Sequence, residues 1–273
     1  MSTTTLASPS PSIGLGASDD PRVTQRRVIR SEWIKLRSVR STVITLGLVA
    51  VVVIALGVLI SIFSSGTGPG GTIRDPTGNS LVGTNIAQLV LGVLGALLVT
   101  TEYSTGMIRA TFTAVPKRLP VLWAKVAVFA TATFLLMLGS VLTAFLVGQA
   151  LYGGAGHGAS LADPGVARAL LGAAFYPTGI AVMGMALGAL LRKTATAIGV
   201  LFGALFLAPV IIQSLGGSWG DLAAYLPSNA GQAITSVVHS SDLLSPAAGF
   251  AVLVCWAGAL LAGAAVLMRR RDA

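Results

Sequence analysis

Residues 43–63 read VITLGLVAVVVIALGVLISIF, an unbroken run with no charged side chain. As an α-helix at 1.5 Å per residue it spans about 30 Å, the thickness of the hydrocarbon layer of a bilayer. A helix that is apolar on every side belongs in a large core or in lipid, and the composition decides between them. Only 10% of the 273 residues are charged while 54% are hydrophobic, and mean hydropathy is +0.83. Soluble domains carry about 25% charged residues, so this inventory cannot build a water-facing surface.

Outward from that run, five more apolar stretches cover about 83–101, 121–151, 166–191, 195–214 and 247–268. Each is long enough to cross a bilayer, and the third and fourth have length to tilt or project. The expected fold is all-α and polytopic: six transmembrane helices with an N-terminal amphipathic interfacial helix and both termini cytoplasmic. Pro177 is expected to bend the fourth span. Residues 1–23, rich in Ser, Thr, Pro and Gly, read as a disordered cytoplasmic tail, leaving 24–273 as one six-span domain. No short apolar segment with a cleavage site marks a removable signal peptide.

Orientation follows from the basic residues. With the N-terminus inside, 16 of the 18 Lys and Arg lie in cytoplasmic connections, and only Arg74 and Arg168 lie outside. That is the positive-inside pattern of a membrane protein, and it accounts for the net charge of +9 without a nucleic-acid partner. Between Thr24 and Arg40, Val28, Ile29, Trp33, Leu36 and Val39 share one helical arc. Arg26, Arg27, Arg30, Lys35 and Arg37 take the opposite side, the pattern of a helix lying on membrane lipid. Glu32 and Arg40 fall inside the apolar arc and break the pattern.

Between spans, residues 64–82 read as irregular. Asp163-Pro164 and Ser245-Pro246 each read as an N-cap followed by proline at the first helical position. The stretch 215–244 fits two short helices dipping into the outer leaflet. Gly184/Gly188 and Gly199/Gly203 form GxxxG pairs, and Ala259/Gly263 forms a small-residue pair, all suited to close helix packing. Gln88, Gln149 and Gln213 read as interhelical hydrogen-bonding groups, and Cys255, the lone cysteine, as a small buried packing residue.

Catalytic and ligand motifs are missing from the sequence. There is no GxxxxGK[ST] phosphate loop, HExxH helix or GxSxG elbow, and His157 and His239 stand alone in outer segments. No span carries an ionisable group in its middle, where ion-coupled transporters place them. The chain therefore reads as non-catalytic, with no catalytic, cofactor or metal site of its own, and the energy for any transport comes from elsewhere.

One connection carries organised chemistry: TEYSTGMIRATFTAVPKRLPVLWAK, residues 101–125. Ile108, Phe112 and Val115 repeat at helical spacing before Pro116, Glu102 and Gly106 precede them, and Arg109, Lys117 and Arg118 supply positive charge. A short amphipathic helix there forms either an interfacial connector or a docking surface for a cytoplasmic protein.

This loop resembles the type-2 family of ATP-binding-cassette (ABC) transporter permeases, whose pattern falls on Glu102, Gly106, Pro116, Arg118 and Lys125. SEWIKLRSVRST at 31–42 is similar to the leading helix of bacterial members, and YLPSNAGQAI at 225–234 to their final outer loop. The resemblance implies a multi-pass permease of the bacterial cell membrane that exports amphipathic or apolar cargo. It implies pairing with a second permease copy or homologue and with cytoplasmic ABC ATPase subunits, which bind the ATP and Mg. Residues 102–118 would form the coupling helix seated in the ATPase. The family's usual Thr after the glycine is Met107 here, which leaves the register of that helix open. The alternative is a non-transporting anchor or sensor partner with the same fold.

Overall fold

The computed structural model describes residues 24–65, 75–107, 118–153, 158–216, 221–237 and 243–270, and among these the secondary structure is helical throughout. Helix α1 (Gln25–Ser38) is separated by the single extended residue Val39 from α2 (Arg40–Ser65). The short α3 (Pro76–Ser80) leads into α4 (Thr84–Ser104). Next come α5 (Arg118–Gly153) and α6 (Val166–Leu191). The fifth apolar helix is composite: α7 (Thr194–Phe202), a π-helical turn (Gly203–Leu207) and α8 (Ala208–Leu215). A 3-10 turn at Ala223–Tyr225, α9 (Pro227–Thr235) and α10 (Pro246–Arg270) complete the chain.

Six helices are long and apolar enough to cross a membrane, and their bounds match the expected spans to within a few residues at each end. Their directions alternate. Gly92 and Ala96 of α4 meet Gly184 of α6, and Ala96 and Thr100 meet Gly188, so these two run parallel. Gly179 and Leu190 of α6 meet Leu253 and Gly263 of α10, again parallel. By contrast α7 runs against α4, placing Leu201 beside Gly92 and Thr194 beside Thr100.

Helix α6 is the central post. Within its most apolar stretch 83% of residues are buried, against 17% for both α2 and α10, which leave most of their surface to lipid. The α4–α6 seam explains that centrality. A Cβ on Gly95 would overlap the carbonyl oxygen of Ala181, and one on Gly184 the carbonyl oxygen of Gly92. The Gly184/Gly188 pair is therefore a packing surface as expected. Gly199 and Gly203 are not part of a seam among the described residues, none of which lies within 4 Å of a Cβ placed on either. Gly203 instead opens the π turn, where the Ala208 amide reaches back five residues to the Gly203 carbonyl. A π turn ending two positions before Pro209, which has no N–H to donate, adjusts the backbone bonding there.

Several connections differ from expectation. Residues 76–80 of the 64–82 stretch are helical rather than irregular: Asp75 caps α3 by accepting from the Gly78 amide at 2.8 Å. Gln149 holds α3 to α5, donating to the Pro76 carbonyl at 3.1 Å. Asp163 does not cap α6, because the helix starts at Val166 after Gly165 in a left-handed conformation (φ 86°). Asp163 instead closes its own turn, accepting from the Ser160 amide at 2.7 Å. Ser245-Pro246 does open α10 as expected. Pro177 lies inside an α6 that continues through it. The stretch after α8 does form two short helical pieces, and α9 wedges between α6 and α10, with Gly172 against Ile234 and Gly249 against Ala230. Arg168 ties α9 down by donating to the carbonyls of Ile234 (3.1 Å) and Ser236 (2.9 Å) at the helix's C-terminal end.

Of the three glutamines, Gln88 accepts from the Tyr176 hydroxyl across the α4–α6 seam and Gln149 bridges α3 and α5, while Gln213 is exposed. Cys255 is exposed rather than buried. It lies on the outer side of α10, where apolar neighbours would be lipid, and an apolar run cannot distinguish that from a protein core.

Candidate functional site

At the end of the bundle where α4 stops and α5 starts, α1 lies against both. Val28, Glu32 and Leu36, spaced four apart, form its buried stripe. Val28 packs with Val121 and Ala124 of α5, and Gln25 donates to the Pro120 carbonyl at 3.2 Å. The expected apolar arc is thus divided: Val28 and Leu36 face the protein, whereas Ile29, Trp33 and Val39 are exposed together with Arg30 and Arg37.

The break in that arc, Glu32, is the key residue. Its carboxylate accepts from Lys125 Nζ on α5 (2.7 Å) and from Lys35 Nζ on its own helix (2.8 Å). Lys125 also donates to Glu102 Oε1 on α4 at 2.8 Å, and Lys35 reaches the same oxygen at 3.4 Å. Two carboxylates and two ammonium groups thus alternate around one point and join three helices. Lys35 was expected on the outward, polar side of α1; it turns inward because two carboxylates lie within reach of its flexible stem.

The glutamates are each 4% exposed, Lys125 12% and Lys35 36%, so this is an interior ionic cluster with one member at its rim. Burial pushes the Glu32 carboxyl up, but the Lys125 charge and the hydrogen bonds from Lys125 and Lys35 outweigh it and hold the group below its ordinary value. Burial pushes the Lys35 ammonium down, yet its bond to Glu32 and the charges of Glu102 and Glu32 leave it raised. One atom stands apart: Glu102 Oε2 is buried and has no hydrogen-bond partner among the described residues.

Beyond Glu102, α4 ends cleanly. Thr105 bonds back to Thr101, and Gly106 takes φ 72°, a left-handed conformation that suits a residue without Cβ. Arg118 is the first residue of α5. Ile108, Arg109, Phe112, Pro116 and Lys117 lie outside the described residues, as do His157 and His239. On the same end of the molecule, Arg192 stacks over the Tyr103 ring at 5.1 Å, and Thr194 donates to Thr100 at 2.8 Å, which closes the α6–α7 turn onto α4. Among the described residues no group of three or more His, Cys, Asp or Glu side chains could hold a metal.

Sequence reasoning singled out Glu102 and Lys125 at the 102–125 connection but missed that Glu32 and Lys35 join them in one cluster. The available signal was the misplaced Glu32: a carboxylate on an apolar arc needs a buried cation, and of the four lysines only Lys125 falls inside an apolar run.

No curated protein matches this chain. A family model described as "ABC-2 family transporter protein" matches residues 28–214, from the buried stripe of α1 through the fifth span, including all four members of the ionic cluster. The chain therefore belongs to the ABC-2 transporter family, as a multi-pass membrane component of a kind that works with ABC ATPase subunits.

Proposed function

We propose that the chain is the permease subunit of an ABC exporter in a bacterial cytoplasmic membrane, with both termini in the cytoplasm. Its cargo is amphipathic or apolar, and ATP and Mg are bound by a separate ATPase. A second permease copy or homologue completes the path. Family membership supports the permease role. Support for the driven step comes from the cluster of Glu32, Lys35, Glu102 and Lys125. Glu102 stands just before the 106–118 connection and Lys125 about two helical turns after it, and both are tied to α1. An ATPase pressing on Ile108, Arg109, Phe112, Pro116, Lys117 and Arg118 would move α1, α4 and α5 as one unit, because the ion pairs resist their separation. α1, with exposed Trp33, Arg30 and Arg37, lies along the membrane surface and carries that motion sideways.

The test is coexpression with the ATPase. Phe112→Ala and Glu102→Ala are expected to abolish ATP-driven export, and Phe112→Ala to weaken copurification of the ATPase. Export and association both intact would defeat the coupling assignment. A reporter fused after Arg271 is expected to be active only in the cytoplasm, and activity on the other side would overturn the orientation.

A further inference from the structure

A cavity of about 530 Å³ opens beside the ionic cluster between α1, α2, α4 and α5, within the ~300–1,000 Å³ range of small-molecule sites. Its wall has a gradient. Along α4 one stripe runs Leu94, Leu97, Leu98, Thr101, Glu102, so about 6 Å of apolar rise leads, through a threonine, to a carboxylate about 12 Å from Leu94. Along α5, Phe129 and Val128 lead to Lys125 in the same sense. Lys35 and the hydroxyls of Ser38, Ser41, Thr42 and Thr45 line the facing side. A cavity apolar at one end and ionic at the other fits an amphiphile.

The unpartnered oxygen specifies the head group. Glu102 is buried and lines this cavity, yet its Oε2 accepts from no described residue while Oε1 accepts twice. A buried carboxylate oxygen without a donor is costly; Oε2 is closed off as it stands, and a ligand N–H would satisfy it once the carboxylate turns toward the cavity. The four cluster charges cancel. A bare cation would leave a net charge in a poorly solvated place, and an anionic head would leave Oε2 without a donor. A zwitterion meets both demands, its ammonium on Glu102 and its phosphate beside the half-exposed Lys35. We infer that this cavity binds a membrane phospholipid whose head carries a primary ammonium, with one acyl chain along Leu94, Leu97 and Leu98. This inference does not require the lipid to be the cargo, and its test does not use transport.

Native mass spectrometry of the purified full-length protein, titrated separately with phosphatidylethanolamine, phosphatidylcholine and phosphatidylglycerol of the same acyl chains, reads the head-group preference. Phosphatidylethanolamine is expected to bind about tenfold tighter than phosphatidylcholine, whose quaternary ammonium has no N–H; that is the size of one charge-assisted hydrogen bond. Glu102→Gln is expected to erase the preference. Leu97→Trp, which fills the apolar end and leaves the ion pairs alone, is expected to weaken phosphatidylethanolamine binding about tenfold. Equal binding of the three lipids, a preference for phosphatidylglycerol, a preference that survives Glu102→Gln, or unchanged binding by Leu97→Trp would each overturn the inference. Should Glu102→Gln fail to fold, the wild-type comparison and Leu97→Trp still decide it.

Discussion

At the scale of single residues, Lys125 stands between two carboxylates at 2.7 and 2.8 Å and is the most buried cation of the cluster. Removing one partner of a buried pair costs more than removing the whole pair, because the survivors keep their desolvation penalty. Lys125→Met is therefore expected to destabilise the fold by about 3 kcal/mol, read as a lowered thermal midpoint in detergent. Adding Glu32→Gln to it should recover part of the loss; simple additivity of the two would show that they do not interact.

The two α1 groups set a pH window. The Glu32 carboxyl is held below its ordinary value, so its contribution is present above about pH 4.5 and is lost as pH falls through the depressed value. The Lys35 ammonium is raised, so its contribution is present below about pH 10.5 and is lost as pH rises through the elevated value. A thermal midpoint measured across pH should be flat between these limits and decline outside them. Glu32→Gln should flatten the acid decline, and an unchanged acid limb in that variant would remove Glu32 as its cause.

This cluster was half legible in the sequence. Glu102 and Lys125 sit in one loop pattern, but Glu32 is 93 residues from Lys125. A helical wheel records direction around one axis and nothing of what stands opposite. It could therefore mark Glu32 as misplaced without saying why, and it turned Lys35 the wrong way.

At the scale of elements, the α4–α6 seam depends on backbones in contact. Gly95→Ala and Gly184→Ala each push a methyl into a carbonyl oxygen of the partner helix. Each is expected to cost about 1–3 kcal/mol. Gly199→Ala meets nothing among the described residues and should be neutral or stabilising by up to about 1 kcal/mol. A drop in thermal midpoint for Gly199→Ala comparable with Gly184→Ala would contradict the open surface there. If a second copy uses that surface, Gly199→Ala should lower the yield of the paired permease while leaving the midpoint alone. Both GxxxG pairs look alike as sequence. What separates them is which stripe faces α4, and in a helix apolar all round no periodicity encodes that. The same ambiguity placed Cys255 inside when it is outside.

Across the whole molecule, span number and limits were readable because lipid imposes length and apolarity on every spanning helix. Which spans touch was not, since lipid and protein neighbours are equally apolar. Cysteines introduced singly at Ser38 and Asp163 should lie on opposite sides of the membrane, labelled by an impermeant thiol reagent from the inside and the outside respectively. A shared side would refute the six-span alternation.

The parallel seam between α4 and α6 also bears on how the protein is made. A ribosome delivers α4 first, and about 60 residues, including all of α5, separate its end at Ser104 from the start of α6 at Val166. At ~5–20 residues per second, α4 waits in the bilayer for roughly 3–12 s with its glycine face uncovered. Nascent chains that stall in that interval expose Gly92, Gly95 and Ala96 to lipid or to the quality-control machinery of the membrane. Synthesis speed through residues 105–165 thus becomes a determinant of yield that no property of the finished fold reveals.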